Sequence, residues 1–170
     1  DVFVRVPDSD GGWRAIRPWG TYWMDMRTRK VVASIVRNDD PDADVVVCSF
    51  GIGVEDYGVP RSVLLDNGRD YKAKDVFNKQ CEEVIDSLAN NLQIDTVYAI
   101  PYNAKAKPIE RTFDTFEQQF GKLQPTYAGS NAKVRPESLH DLDIMEYPTL
   151  DEFIAMHDQY VYEIYNESPH

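Results

Sequence analysis

Between residues 62 and 120 the chain twice alternates a short apolar run with a longer amphipathic stretch, and this pattern constrains the fold most tightly. Ser62-Val-Leu-Leu65 is brief and followed by Asp66-Asn-Gly68, so it reads as a buried strand ending in a loop. Lys74 to Asn91 carries Phe77, Cys81, Val84 and Leu88 on one stripe at helical spacing. Thr96 to Ile100 is a second short buried strand. Pro108 suits the first turn of a further helix with Ile109, Phe113, Phe116 and Phe120 as its apolar face.

Upstream the pattern is β-rich. Val2, Phe3, Val4 and Val6 read as a strand, Asp8 to Gly12 as a hairpin turn, Tyr22 to Met26 as a second strand and Lys30 to Val36 as a third, with Arg27-Thr-Arg29 between them. These predict a three-stranded antiparallel meander. Asp39 to Asp44 offers caps for a helix with Val46, Val47, Phe50, Val54 and Tyr57, closed by Gly58-Val-Pro60. Residues 121 to 148 show little periodicity and read as a wrapping loop. A last helix runs from Leu150 to Tyr165, with Phe153, Ile154, His157, Tyr160, Val161 and Ile164 on or near one face. The order is β-β-β-α-β-α-β-α plus a terminal helix, an α/β domain with a mixed five-stranded sheet flanked by helices. Residues 1–148 form its core and 149–170 an acidic helix packed on it.

A length of 170 residues suits one domain with a full core, and no apolar run approaches the roughly 20 residues that cross a bilayer. Cys48 and Cys81 sit in apolar stretches without CxxC pairing, which predicts reduced core thiols in a cytosolic compartment. The net charge of −11 argues against a polyanionic partner, but its distribution does not. Nine acidic residues and no Lys or Arg lie from Glu137 onward, whereas residues 100 to 135 hold six basic against three acidic residues, a local +3.

Two carboxylates stand out by position. Asp66 ends a buried strand, where α/β sheets place ligand sites, although Asp-Asn-Gly is also an ordinary turn. Glu110 opens a helix, where the macrodipole alone favours an acid. If the two converge they repel unless a cation lies between them, and hard oxygen donors suit Mg²⁺ or Mn²⁺. Other chemistry is poorly supported. His140, His157 and His170 lack zinc spacing, Gly51-Ile-Gly53 lacks the ending of a phosphate loop, and Ser49 lies in no nucleophile motif. Trp13, Trp19, Tyr22 and Trp23 read as core aromatics rather than base-stacking platforms.

The strings around the two acids carry a resemblance. Tyr57-Gly-Val-Pro-Arg-Ser-Val-Leu-Leu-Asp66-Asn-Gly-Arg-Asp-Tyr71 and Pro101-Tyr-Asn-Ala-Lys-Ala-Lys-Pro-Ile-Glu110-Arg-Thr-Phe113 resemble the second and third acidic motifs of the transposase and retroviral-integrase superfamily, most closely the phage Mu transposase catalytic core. Val2-Phe-Val-Arg5, Trp23-Met-Asp-Met-Arg-Thr-Arg-Lys30 and Tyr165-Asn-Glu-Ser-Pro-His170 extend it over nearly the whole chain.

The resemblance implies an RNase H-like fold and an Asp-Asp-Glu triad holding two divalent ions, with Asp66 as second aspartate and Glu110 as glutamate, both catalytic and metal-binding. The first aspartate would precede Asp1, so the fragment as given is expected to be inactive alone. Asp25 looks like the structural Asp of the turn after the family's second strand, and Asp1 fits only if the register slips. Lys105, Lys107, Arg111 and Asn67 are the expected DNA contacts. Double-stranded DNA, other domains of the same transposase and further copies on DNA are the implied partners, with no membrane, and the implied place of work is the cytoplasm at the nucleoid. The expected activity is metal-dependent DNA end cleavage and strand transfer. A degenerate RNase H-like binding domain and a structure-specific nuclease are the alternatives.

Overall fold

The computed structural model describes residues 2–65, 75–98, 108–129, 139 and 141–169, and for 75–82 the backbone alone. It is a mixed α/β domain. Strands β1 (Val4–Pro7) and β2 (Trp13–Ile16) form one antiparallel hairpin, and β3 (Trp19–Met24) and β4 (Val31–Arg37) a second. Helix α1 (Ala43–Tyr57) precedes β5 (Ser62–Leu65), α2 (Asp75–Leu92) and β6 (Asp95–Tyr98), and β5 pairs with β6 in parallel. Helix α3 (Pro108–Gln119) follows, and α4 (Leu150–Asp158) continues as a π-helical stretch, Gln159–Tyr165.

Local chemistry sets most of these ends. Asp42 caps α1 by accepting the Val45 N–H at 2.8 Å. Gly58 ends the helix at φ +87°, a conformation cheap only for glycine, and its N–H bonds the Val54 carbonyl at 2.9 Å. Thr149 and Glu152 cap each other's backbone in a reciprocal box at the start of α4. The Asp25 carboxylate closes the β3–β4 turn, accepting from the Thr28 N–H at 2.8 Å and its hydroxyl at 2.6 Å.

The expected meander is replaced by two hairpins, and among the described residues the ladders are three two-stranded pairs rather than one five-stranded sheet. Pro18, without an N–H, stands at the junction of β2 and β3 and interrupts the pairing there. Strand β2 escaped the pattern reading because three of its four residues are exposed, which leaves no apolar alternation to read.

The core divides into packed clusters. Phe50 of α1, Val63 of β5, and Ile85 and Ala89 of α2 enclose Ile94, with Trp23, Leu65 and Leu88 against them. Each of the buried Phe, Val and Ile side chains contributes about 1.5–3 kcal/mol. The α2 stripe is therefore offset by one position from the expected Val84 and Leu88, which are half-buried; Phe77 and Cys81 lie outside the residues whose side chains are described. Val31, Phe116, Tyr160, Val161 and Tyr165 form a second cluster, and Val2, Val4, Val6 and Phe153 a third.

Several burial expectations are corrected. Trp13 and Trp19 are 41% and 50% exposed, and the Arg5 guanidinium covers the Trp13 ring at 5.0 Å. Cys48 lies on the exposed side of α1, because Val45, Ser49, Phe50 and Gly53 form its inward face. The β6 strand is open to solvent at alternate residues, Val97 among them. Phe113 is exposed on α3, where Thr112 and Phe116 point inward. In the terminal helix Ile164 is exposed and Tyr165 is buried, because the π-helical turn is one residue wider than the period assumed.

Candidate active site

Asp66 follows directly on Leu65, the last residue of β5. Asp66 itself, Asn67, Lys105 and Lys107 lie outside the described residues, as do Asp1, His140 and His170. Glu110 and Arg111 are described, and both are exposed on the first turn of α3.

The opposite face of that turn is anchored. Thr112 is buried, and its hydroxyl lies 3.3 Å from the Pro108 carbonyl and 3.0 Å from the Tyr165 hydroxyl. Tyr165 donates to the Arg29 carbonyl at 3.2 Å, which leaves Thr112 as donor in the hydroxyl pair. The Thr112 hydroxyl also lies 3.3 Å from Met24 Sδ. One turn further on, the Phe116 ring meets Tyr165 edge-on at 4.8 Å. Asn166 then bonds both polar groups of Val31, accepting from its N–H and donating to its carbonyl at 2.8 Å each. The start of α3, the β3–β4 turn and the first residue of β4 are thus tied together by two adjacent side chains.

Asp25 closes the turn between β3 and β4. Its bonds to Thr28 hold its carboxyl below the usual carboxylate range. Ser49 is likewise structural: buried, it donates to the Val46 carbonyl and accepts from Trp23 Nε1, each at 3.0 Å, which pins α1 to β3.

A polar feature that the sequence pattern does not show lies where α4 packs against β3 and the later part of α3. His157 is buried among the rings of Tyr22, Phe116, Phe120 and Phe153. Burial pushes its pKa down despite Asp158, so the neutral imidazole donates from Nδ1 to Asp158 at 2.9 Å and accepts at Nε2 from Tyr22 at 2.8 Å. The Tyr22 phenol is pushed up, first by burial and then by the Asp158 charge. His157, Tyr22 and the phenylalanine rings around them line a cavity of about 300 Å³ with Arg17, Asp114 and Glu117 among its walls. The signal for this arrangement was a histidine on an otherwise aromatic helix face.

Among the described residues, no group of three or more His, Cys, Asp or Glu is gathered as a metal site. Glu110 supplies one hard oxygen donor, open to solvent, and the donor chemistry of Asp66 matches it.

Fold and site together define a mixed α/β domain in which a parallel strand pair leads to one candidate carboxylate and an exposed helix start carries the other. The chain belongs to the bacteriophage Mu transposase family, whose sequence profile matches residues 1–160. A relative, the Mu-like prophage FluMu transposase A of Haemophilus influenzae, is 28% identical over 155 residues, covering 81% of this chain and 22% of that protein. The chain thus spans about a fifth of that relative's length. No helix among the described residues is long and apolar enough to cross a membrane.

Proposed function

We propose that this chain is the catalytic core of a DNA transposase, an RNase H-like domain that cuts element ends and joins them to target DNA by metal-dependent phosphoryl transfer. The observation that carries the reading is Glu110: an exposed carboxylate on the first turn of a helix whose other face is locked by Thr112 and Phe116, in a chain of the Mu transposase family. Asp66 and Glu110 would hold Mg²⁺ or Mn²⁺. When bound, a pair of such ions supplies an activated water or 3′-hydroxyl and stabilises the leaving oxygen.

The remaining work falls to the chain's own groups. Arg111, next to Glu110 and also exposed, is suited to grip a phosphate through two parallel N–H bonds. Lys105, Lys107 and Asn67 are proposed as further backbone contacts that position double-stranded DNA without reading its sequence. The DNA path is assigned to the exposed face of α3, which carries Arg111, because the acidic C-terminal segment on its other face repels phosphates. Further domains of the same protein and further copies on DNA complete the proposed assembly, working in the cytoplasm at the nucleoid.

The test is made in the natural protein that carries this sequence, on DNA with defined ends. Asp66→Asn and Glu110→Gln should each abolish Mg²⁺-dependent cleavage while leaving the far-ultraviolet circular dichroism unchanged. Activity retained in both variants removes the two residues from the site. Cleavage without joining in the unmodified protein would favour a nuclease.

A further inference from the structure

We infer that Tyr165 and Thr112 form a positioning pair that sets the direction of the Glu110 carboxylate, with Asn166 as the anchor of that pair; the inference rests on the reading of Glu110 as a metal ligand. The first turn of a helix is its weakest part, because its leading N–H groups have no intrahelical acceptor and the turn frays. A ligand on that turn therefore needs an outside support. Glu110 stands two residues before Thr112, whose hydroxyl touches both the Pro108 carbonyl, at 3.3 Å, and the Tyr165 hydroxyl, at 3.0 Å. The first is a close approach rather than a second bond, because the one Thr112 hydroxyl proton goes to Tyr165 and the turn is closed by its own helical backbone. The second fixes its rotation against a residue that is only 5% exposed and is held by the Arg29 carbonyl.

The backbone is built to deliver this support. The Asn166 N–H bonds the Val161 carbonyl, five residues back, at 2.9 Å, which is the wide π-helical turn. An α-helical period would direct Ile164 and Tyr165 toward the core. The added residue directs Tyr165 and Asn166 inward as neighbours and leaves Ile164 54% exposed. Asn166 then grips β4 through Val31 at 2.8 Å on both sides, so Tyr165 has a fixed base from which to reach Thr112. A single π turn is costly enough to need a reason, and presentation of two consecutive polar side chains to buried partners supplies one.

The test uses Mn²⁺ alone as probe, its affinity measured by electron paramagnetic resonance in the natural protein, with Glu110→Gln defining the contribution of this site. Tyr165→Phe keeps the ring against Phe116 and removes only the hydroxyl, and it should weaken Mn²⁺ binding about tenfold, as loss of a ligand's supporting partner does. Thr112→Val should do the same, Thr112→Ser should restore affinity, and the Tyr165→Phe, Thr112→Val pair should lose no more than either alone. A merely structural role would lower the melting temperature in all of them and leave the affinity of the folded protein unchanged. If Glu110→Gln weakens binding and Tyr165→Phe does not, the positioning inference is wrong while the site stands. If Glu110→Gln itself leaves Mn²⁺ affinity unchanged, the reading of Glu110 fails first. Should Tyr165→Phe not fold, the Val and Ser variants at Thr112 decide the question by the same readout.

Discussion

Asn166 and Val31, 135 residues apart, are joined by two hydrogen bonds of 2.8 Å that pair one carboxamide with both backbone groups of a single residue. Val31 is fully buried and Asn166 is 4% exposed, so water does not replace either bond if the side chain is lost. Removing it leaves a buried N–H and a buried carbonyl without partners, each costing about 1–3 kcal/mol. Asn166→Ala should therefore lower unfolding stability by about 2–4 kcal/mol in urea denaturation. A loss below about 0.5 kcal/mol, the level of an ordinary surface substitution, would show that the clamp holds little.

Stability should fall in mild acid because of His157. Its pKa in the folded protein lies below the ordinary 6.5, with burial as the main cause, so the unfolded chain binds more protons than the folded one in that range. The sign follows directly: the contribution of His157 is complete above about pH 6.5 and is lost as the pH falls through the folded value. His157→Phe fills a site already lined by rings but removes the titration. Denaturation midpoints measured from pH 8 down to about pH 5 should drop less steeply in that variant than in the parent. Equal slopes would mean that other groups, and not this imidazole, govern the acid limb.

Glycine positions divide sharply by what a methyl group would meet. A Cβ on Gly20 would fall 2.5 Å from the Tyr22 ring and 2.7 Å from its hydroxyl, and that ring is held by the bond to His157. On Gly51, an exposed position within α1, nothing lies within 4 Å. Gly20→Ala should destabilise by about 1–3 kcal/mol through forced displacement of Tyr22. Gly51→Ala should stabilise by about 0.5–1 kcal/mol through helix propensity alone. Thermal unfolding of the two variants side by side checks both signs at once.

The parts legible in the sequence are those fixed by neighbours along the chain. Asp42 and Gly58 announce the two ends of α1, and Pro108 announces the start of α3, because caps and prolines act within one turn. The place of Glu110 on the first turn of α3 is legible for the same local reason. The bond between Thr112 and Tyr165 joins residues 53 positions apart and no period predicts it. The exchange of Ile164 for Asn166 on the inner face was illegible because reading a helix by its spacing assumes that the spacing does not change. Trp13 misled through composition: a tryptophan suggests core, yet here it lies on the surface under a guanidinium.

Asp25 offers a direct comparison between an acid bonded into a turn and the acids proposed as catalytic. Its carboxylate accepts from the Thr28 N–H and hydroxyl and keeps the β3–β4 turn closed, while Arg29, at φ +64°, turns the chain into β4. An asparagine side chain retains one carbonyl oxygen that can accept the same N–H, as Asn does in Asx-type turns. Asp25→Asn should accordingly cost at most about 1 kcal/mol and leave metal-dependent DNA cleavage within a few-fold of the parent. Asp66→Asn, assayed in parallel, should eliminate it. Loss of cleavage in a folded Asp25→Asn protein would instead make Asp25 a ligand, and the turn geometry around Thr28 would then need a second explanation.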